Sequence, residues 1–353
     1  MRLLICTQAV DLDDPVLGFF HRWVEELSKR FEAVHVICLK EGRHELPKNV
    51  FIHSLGKEGG RSRLKYLFRF YRYIREFRGE YDVVFVHMNQ EYVLLGWKLW
   101  WLWGKRIVLW RNHLKGSWLT WLATKVSHNV CYTSPEAFVA TCKNAVLMPI
   151  GIDTGFFSPA LRSLGEVGPS QTPKPDSILF LGRLDPVKKV DTFVRALKLL
   201  QEQGASFWAD IIGDPTEAGS KYAHDVRNLA TVLSIEGMLS MRGAVTNQEA
   251  RDLFRSHAIY CNLTPSGSFD KTIGEAMASG CVVAAVNHVL QGILPKKLMP
   301  QDDSDEAAAQ ALRGALDMPE PERRALAQKS RSYIEREHSL SLLVERLFGI
   351  LAA

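Results

Sequence analysis

Two cations follow one apolar run in the second half of the chain. In SILFLGRLDPVKK, which begins at Ser177, the strand-like part ends at Gly182, directly before Arg183, and Lys188 follows five residues later. Ligands of open α/β sheets bind at the carboxyl ends of strands, and a guanidinium with an ammonium at that point can neutralise a diphosphate leaving group. On these residues alone, a solvated loop is the alternative interpretation.

A second segment has the order strand, glycine-containing loop, helix and strand. In CNLTPSGSFDKTIGEAMASGCVVAAVN the helix is predicted to begin around Lys271. Loop amides and the helix N-terminus would form an anion site, and Glu275, about one turn inside, would accept hydrogen bonds from ribose hydroxyls. The alternative is that Glu275 is a surface residue and Gly267 only forms a turn. The candidate residues of this anion and ribose site are Gly182, Ser268, Phe269, Asp270, Lys271, Thr272 and Glu275.

The loop DLDDPVLGFFHRW follows the first predicted strand, so its residues should line a ligand site. Gly18 allows a close approach of backbone to ligand, and Asp13 or Asp14 is a candidate to orient a hydroxyl of a bound ligand.

The elements that must position these residues recur as βαβ units. Short apolar, β-branched runs begin at residues 2, 33, 81, 106, 129 and 145, and again at 177, 208, 240, 258 and 282, each followed by a helical pattern. The stretch between the two groups is rich in Gly, Pro and Ser, which is typical of a linker. We therefore predict an α/β protein with two sheets, divided into an N-terminal domain (1–165), a linker (166–176), a C-terminal domain (177–335) and a C-terminal helix (336–353).

Composition limits the class of protein. A chain of 353 residues with 46% hydrophobic and 24% charged residues suits two folded α/β domains. The six cysteines show no Cys-x-x-Cys spacing, so we expect no zinc site and a reducing, cytoplasmic compartment. The net charge of +5 favours an acidic ligand or surface without requiring nucleic acid. The most apolar stretch, 92–104, is interrupted by Lys98 and is too short to span a bilayer.

A basic amphipathic helix is predicted near residues 61–78. Its apolar stripe would contain Leu64, Leu67, Phe68, Tyr71 and Ile74, with cationic side chains largely elsewhere. Two interpretations are open: the stripe docks on the sheet, or the helix attaches to anionic lipid headgroups. Eight of the nine tryptophans also lie in the first half of the chain, which favours a membrane-proximal or lipid-linked acceptor.

Three segments together resemble one known family. GRLDPVKKVD, PSGSFDKTIGEAMASGCVVAA and PIGIDTGFFSP (149–159) resemble, in order, the signature segments of the family-four retaining glycosyltransferases of the GT-B fold, also called group 1. The resemblance is tight over 145–290 and looser in the N-terminal half, where DVVFVHMNQ and IVLWRNHLKG are similar to that family's two histidine-bearing strand ends. It implies two Rossmann-like domains facing each other across a cleft, the first binding the acceptor and the second the nucleotide sugar.

The resemblance also implies roles for individual residues. Arg183 and Lys188 would contact the donor diphosphate, and Glu275 would hold the ribose. Gly151 and Asp153 would shape the interdomain loop. His113 would approach the donor sugar from the opposite wall, which makes it the third catalytic candidate.

One position departs from the family pattern. The family usually has a second glutamate eight residues before the ribose-binding one, and here that position is Gly267. Either Asp270 substitutes for the missing carboxylate, or the loop offers only the backbone amides of Ser268 and Phe269.

The resemblance implies sugar transfer with retention of configuration, from a UDP- or GDP-linked sugar to a hydroxyl of a glycan or lipid-linked acceptor. Such a reaction would serve cell-surface polysaccharide or glycolipid assembly at the inner face of the membrane. No metal is expected, because the cations and the helix N-terminus already face the diphosphate. The alternatives are a non-catalytic nucleotide-sugar sensor or subunit and a GT-B epimerase or hydrolase. A dehydrogenase is disfavoured because TQAVDLDD, not Gly-x-Gly-x-x-Gly, follows the first strand.

Overall fold

The chain forms two compact units in a computed structural model that describes residues 1–60, 62–159, 173–233, 237–265 and 269–353. The first unit contains residues 1–151 and 340–353, and the second contains residues 152–339.

The first unit contains a parallel seven-stranded sheet in the order β3-β2-β1-β4-β5-β6-β7. Its strands are β1 (Leu3–Val10), β2 (Val34–Glu41), β3 (Val50–Ser54), β4 (Val83–His87), β5 (Arg106–Trp110), β6 (Asn129–Tyr132) and β7 (Ala145–Leu147). The sequence pattern predicts all of these except β3. That strand lies at the sheet edge, none of its residues is fully buried, and it includes a histidine and a serine, so its apolar periodicity is weak.

Helices cover both faces of this sheet. They are α1 (Gly18–Ser28), α2 (Arg63–Glu76), α3 (Gln90–Leu102) and α4 (Trp118–Val126). Phe20 and Trp23 of α1 belong to the core of one face, while Phe70 of α2, Trp100 of α3 and Ala123 of α4 share the core of the other.

Helix α2 docks by only part of the predicted stripe, together with Phe70. Its buried residues are Phe70 and Ile74, whereas Leu64 is 80% exposed and Phe68 is 70% exposed. The prediction that the whole stripe docks is therefore wrong. Phe70, which lies outside the predicted stripe, is buried because its ring packs against Trp100, and aromatic side chains bury the most apolar area.

The second unit contains a parallel five-stranded sheet in the order β10-β9-β8-β11-β12, and the sequence predicts each of these strands. They are β8 (Lys174–Leu181), β9 (Trp208–Ile212), β10 (Leu239–Arg242), β11 (His257–Asn262) and β12 (Val282–Ala285). The accompanying helices are α5 (Val190–Glu202), α6 (Lys221–Val232), α7 (Asn247–Ser256), α8 (Lys271–Ala278), α9 (Asp305–Leu316) and α10 (Glu320–His338).

The chain returns to the first unit at its end. Helix α11 (Leu340–Ala352) buries Leu340, Leu343 and Leu347 in the core that contains α1. Most of the predicted linker, 166–172, lies outside the described residues, and residues 174–176 already belong to β8. No helix of the described residues is both long and apolar enough to cross a membrane.

Candidate functional site

The end of β8 is held against β9 by a close contact between two glycines. The Gly182 amide donates a hydrogen bond to the Ile212 carbonyl at 3.0 Å. Gly213 has φ +149°, and a Cβ at this position would lie 2.0 Å from the Gly182 carbonyl oxygen. A side chain at residue 213 would therefore displace the backbone that leads into Arg183.

The Arg183 side chain is held by partners from two loops, its own and the one that follows β9. Its Nη1 donates to Thr216 Oγ1 at 2.9 Å and lies 3.2 Å from Asp185 Oδ2. Burial alone would raise the pKa of Asp185, but hydrogen bonds from Thr216 and the charges of Arg183 and Lys188 lower it. Half of the Arg183 side chain remains exposed, so the positioned cation is open to a ligand.

Lys188 connects this loop with the start of α8. It ends a short 3-10 turn, Pro186–Lys188, after which Lys189 has φ +54° and α5 begins. The Lys188 ammonium forms an ion pair with Asp270, and both side chains are 16% exposed.

Asp270 accepts hydrogen bonds from several neighbours. Asn262 Nδ2 donates to Oδ2 at 3.1 Å, Thr264 Oγ1 to Oδ2 at 3.4 Å and Thr272 Oγ1 to Oδ1 at 3.2 Å. Burial would raise the pKa of Asp270, but the charge and hydrogen bond of Lys188, with the hydrogen bonds from Asn262 and Thr272, hold it below its usual value. The residue is therefore an ionised carboxylate inside a polar network.

The network extends to β8 through Tyr260. The Tyr260 hydroxyl lies 2.6 Å from Thr272 Oγ1 and 3.2 Å from the Leu181 carbonyl, and it accepts from Asn262 at 3.1 Å. Burial raises the pKa of this phenol. Tyr260 and Asn262 were missed by the sequence analysis, although a polar residue ending a buried strand was a usable signal.

Helix α8 begins at Lys271, as predicted, with Asp270 at its N-cap. Glu275 is 5% exposed, so the alternative in which it is a surface residue is wrong. Burial raises the pKa of Glu275 and lowers that of Lys271, while the attraction between the two charges opposes both shifts. Phe269 is buried and packs at 5.1 Å from the His338 ring. Gly267 and Ser268 lie outside the described residues.

The segment after Gly151 is attached to α8. Gly151 has φ +77°, and Asp153 Oδ1 accepts from the amides of Gly155 and Phe156 at 3.1 and 3.0 Å. A Cβ on Gly274 of α8 would lie 2.9 Å from the Ile152 side chain. Asp153 also favours the charged form of Lys271 and so belongs to the electrostatic surroundings of this site.

The acidic candidates of the first unit both have partners. Asp13 forms a bidentate ion pair with Arg43 at 2.8 and 2.9 Å. Asp14 Oδ1 accepts the amides two and three residues further on, at 2.9 and 2.8 Å, and Gly18 begins α1.

His113 lies in the exposed loop after β5, and its carbonyl accepts from the Phe138 amide at 3.0 Å. Partial burial of the ring and the charge of Arg111 lower the pKa of His113. The other histidine-bearing strand end is buried: the His87 ring stacks on Phe20 with centroids 4.0 Å apart.

No group of three or more His, Cys, Asp or Glu side chains within the described residues is arranged to hold a metal ion. The candidate site of the second unit contains two cations, one ionised carboxylate and a helix N-terminus, with the buried Glu275 about one turn inside that helix.

Comparison with known sequences gives a match to the second unit. Residues 175–317 match the family model for group 1 glycosyl transferases. A D-inositol 3-phosphate glycosyltransferase of Kineococcus radiotolerans is 28% identical over 201 residues, which cover 52% of this chain and 46% of that protein. The chain spans about half the length of the curated relatives it matches.

Solved structures match the whole chain. HepE of Anabaena, in complex with UDP and glucose, has a TM-score of 0.77 at 14% identity, covering 100% of both chains. WaaG, a glycosyltransferase involved in lipopolysaccharide biosynthesis, has a TM-score of 0.70 at 14% identity, covering 99% of this chain and 100% of WaaG. At such identities the likeness shows the fold, which is GT-B. Over residues 175–317, within the second unit, the chain is similar to the group 1 glycosyl transferases.

Proposed function

We propose that the chain transfers a sugar from a nucleoside diphosphate to an acceptor hydroxyl with retention of anomeric configuration. The observation that carries this proposal is the position of Lys188: it extends from the loop of Arg183 to the N-cap of α8, where it meets Asp270. Cations and a helix N-terminus are the groups that proteins use to bind phosphate anions.

The donor is a UDP- or GDP-linked sugar in this proposal. Arg183 and Lys188 bind the diphosphate, and the buried Glu275 accepts hydrogen bonds from the ribose. Structures of HepE were solved in complex with UDP and with UDP-glucose, which favours a uridine nucleotide.

The chemistry needs no enzyme nucleophile. The bond from the anomeric carbon to the phosphate oxygen breaks while the acceptor oxygen attacks from the same face. On that face the departing phosphate oxygen gains charge and is the nearest base for the acceptor proton. Positioned cations stabilise the diphosphate as it leaves, so we propose that the reaction requires no divalent ion.

The acceptor is a glycan or lipid-linked precursor in cell-surface polysaccharide or glycolipid assembly, and the enzyme works at the inner face of the membrane. The basic and aromatic surface of the first unit supports this part of the proposal, as does the fold shared with WaaG. His113, in the exposed loop of that unit, is the proposed catalytic histidine.

The test is turnover with UDP- and GDP-sugars and a panel of glycan and lipid-linked acceptors. Nucleoside diphosphate release is followed in the presence of a chelator, and the anomeric configuration of the product is read from NMR coupling constants. Lys188→Ala should slow transfer about 10²–10³-fold, as expected when one preorganised group is removed. Lys198→Ala, which changes a lysine paired with Glu202 on α5, is the matched control and should leave the rate unchanged. An inverted product, or wild-type transfer by Lys188→Ala, would contradict the mechanism.

A second candidate is a nucleotide-sugar sensor without catalysis. Gly267 stands where the family has a carboxylate, and Asp270 is already engaged with Lys188. Tight nucleotide-sugar binding with no product from any acceptor would favour this candidate.

A further inference from the structure

Helices α2, α3 and α4 of the first unit expose large apolar side chains on the side that faces away from their shared core. These three helices form one layer on the sheet, and the side of the layer that packs on the sheet is buried, with Phe70, Trp100 and Ala123 in its core. The exposed residues are Leu64 (80%), Phe68 (70%), Leu102 (78%), Trp118 (71%) and Trp121 (54%). Single exposed apolar residues are ordinary, but several large ones on one layer indicate an interaction surface.

Tryptophans and a lysine form one stripe on α4. Trp118, Trp121 and Lys125 are spaced by three and four residues, so they share one side of the helix. The Lys125 ammonium lies 5.6 Å from the centroid of the Trp121 ring. The loop that leads into this stripe, 113–117, is exposed at every residue and contains Leu114 and Lys115.

The charge of the same layer is strongly positive. Helices α2, α3 and α4 together contain seven lysine and arginine residues against two glutamates. The sequence from Tyr92 to Pro135 contains no aspartate or glutamate, yet it includes six lysine and arginine residues.

We infer that this outer surface of α2, α3 and α4 binds the headgroup region of an anionic lipid bilayer. Tryptophan and phenylalanine rings partition to the membrane interface, and lysine and arginine next to them pair with lipid phosphates. A second copy of the chain would set cations against cations, so charge complementarity favours the anionic membrane. The inference rests on the proposed function, because it supplies the membrane proximity that a lipid-linked acceptor requires.

The experiment is vesicle flotation with the full chain. Vesicles of phosphatidylcholine alone are compared with vesicles that also contain phosphatidylglycerol. We expect binding to the anionic vesicles that weakens with added salt, and an apparent affinity about tenfold lower for Trp118→Ala/Trp121→Ala, which removes two interfacial anchors. Trp208→Ala is the matched control: this tryptophan is 40% exposed and lies in the second unit, so its removal should have no effect.

A second variant removes charge and leaves both tryptophans of the stripe in place. Lys115→Gln/Lys125→Gln should bind anionic vesicles several-fold more weakly and lose part of the salt dependence. The inference is overturned if wild-type protein ignores anionic vesicles, or if both double variants float like the wild type. It is also overturned if the tryptophans hold a dimer that dissociates in Trp118→Ala/Trp121→Ala while vesicles stay unbound.

Nucleotide-induced thermal stabilisation, measured on the same proteins, separates the two proposals. Failure of flotation with intact nucleotide binding overturns the membrane surface alone. Flotation without any nucleotide binding overturns the proposed donor site alone.

Discussion

The ammonium of Lys188 and the carboxylate of Asp270 form an ion pair between residues 82 positions apart in the sequence. Three further side chains, Asn262, Thr264 and Thr272, donate to the same carboxylate. Lys188, Asn262 and Thr264 all reach Oδ2 and saturate that oxygen, while Thr272 reaches Oδ1, so most of the acceptor capacity of the carboxylate is occupied. We therefore expect Asp270 to position Lys188 rather than to contact the donor sugar.

Replacing Asp270 with Asn tests that role. The free protein should lose about 3 kcal/mol of unfolding free energy in urea, because the Lys188 charge is left without its counter-charge in a largely buried position. A bound diphosphate restores that compensation, so nucleoside diphosphates should stabilise the variant more than they stabilise the wild type. Both quantities come from urea titrations with and without the nucleotide.

The control for this variant is Asp303→Asn. Asp303 pairs with Lys189 at 3.4 Å and is 61% exposed, so its loss should change stability by less than about 1 kcal/mol. If Asp270→Asn leaves nucleoside diphosphate binding unchanged and weakens only the binding of nucleotide sugars, Asp270 contacts the sugar and the positioning role is wrong.

Glu275→Gln should weaken the discrimination of ribose. At pH 8, above the raised pKa of about 7 for Glu275, a hydrogen bond to its charged carboxylate contributes about 1 kcal/mol more than one to a neutral acceptor, so nucleoside diphosphate affinity should fall about fivefold. The loss should be smaller for 2′-deoxynucleoside diphosphates, measured by calorimetric titration. Glu306→Gln, an exposed residue in the first turn of α9, is the control. Equal losses for ribose and deoxyribose ligands would argue against a ribose contact.

Gly213→Ala should disrupt the donor site through the backbone. The added Cβ would lie 2.0 Å from the Gly182 carbonyl, so the end of β8 must shift. We expect a lower melting temperature and a loss of nucleotide-induced stabilisation. Gly349→Ala, where a Cβ meets open space within α11, should instead gain up to about 1 kcal/mol and bind nucleotide normally. Normal nucleotide binding by Gly213→Ala would show that the glycine contact does not position the site.

Stability should fall as the pH is lowered from about 6.5 to about 4, in part because of His21. Its Nε2 accepts the Glu45 amide at 3.0 Å, which requires a neutral ring. Burial, with the charges of His44, Arg22 and Arg43, lowers its pKa to about 4 from 6.5. Between these values the unfolded chain binds the proton and the folded protein does not, so folding weakens as the pH falls.

The variant for this prediction is His21→Gln, which can still accept the amide. It should flatten the pH dependence of unfolding free energy by up to about 1.4 kcal/mol per pH unit within that window. His224→Gln, on the exposed side of α6, should leave the slope as it is. An unchanged slope in His21→Gln would assign the acid sensitivity to other groups.

The second unit was predictable because its signals are local. Most of its five strands contain a short apolar run bounded by turn residues, and the start of α8 follows from the change of periodicity at Lys271. The motifs around Arg183 and Glu275 are likewise continuous in sequence, so the elements that carry them could be recognised without a structure.

The remainder depends on contacts between distant residues. Lys188 pairs with Asp270, and Asn262 and Tyr260 form hydrogen bonds with Thr272. These contacts join separate segments, and the sequence alone does not indicate that the segments meet. The exposure of Phe68 and the burial of Phe70 were not predicted, because hydrophobicity alone does not distinguish these two residues. Packing against Trp100 buries Phe70, whereas Phe68 stays exposed.

The most direct test of the central claim is thermal stabilisation by UDP, GDP and their sugar conjugates, measured on the wild type, Arg183→Ala and Lys188→Ala. A ligand at 100 times its dissociation constant adds about 2.7 kcal/mol, enough to raise the melting temperature by several degrees. The proposed donor site predicts a shift for one nucleotide base in the wild type and little or none in the two variants. No shift with any nucleotide, or equal shifts in the wild type and both variants, would contradict it.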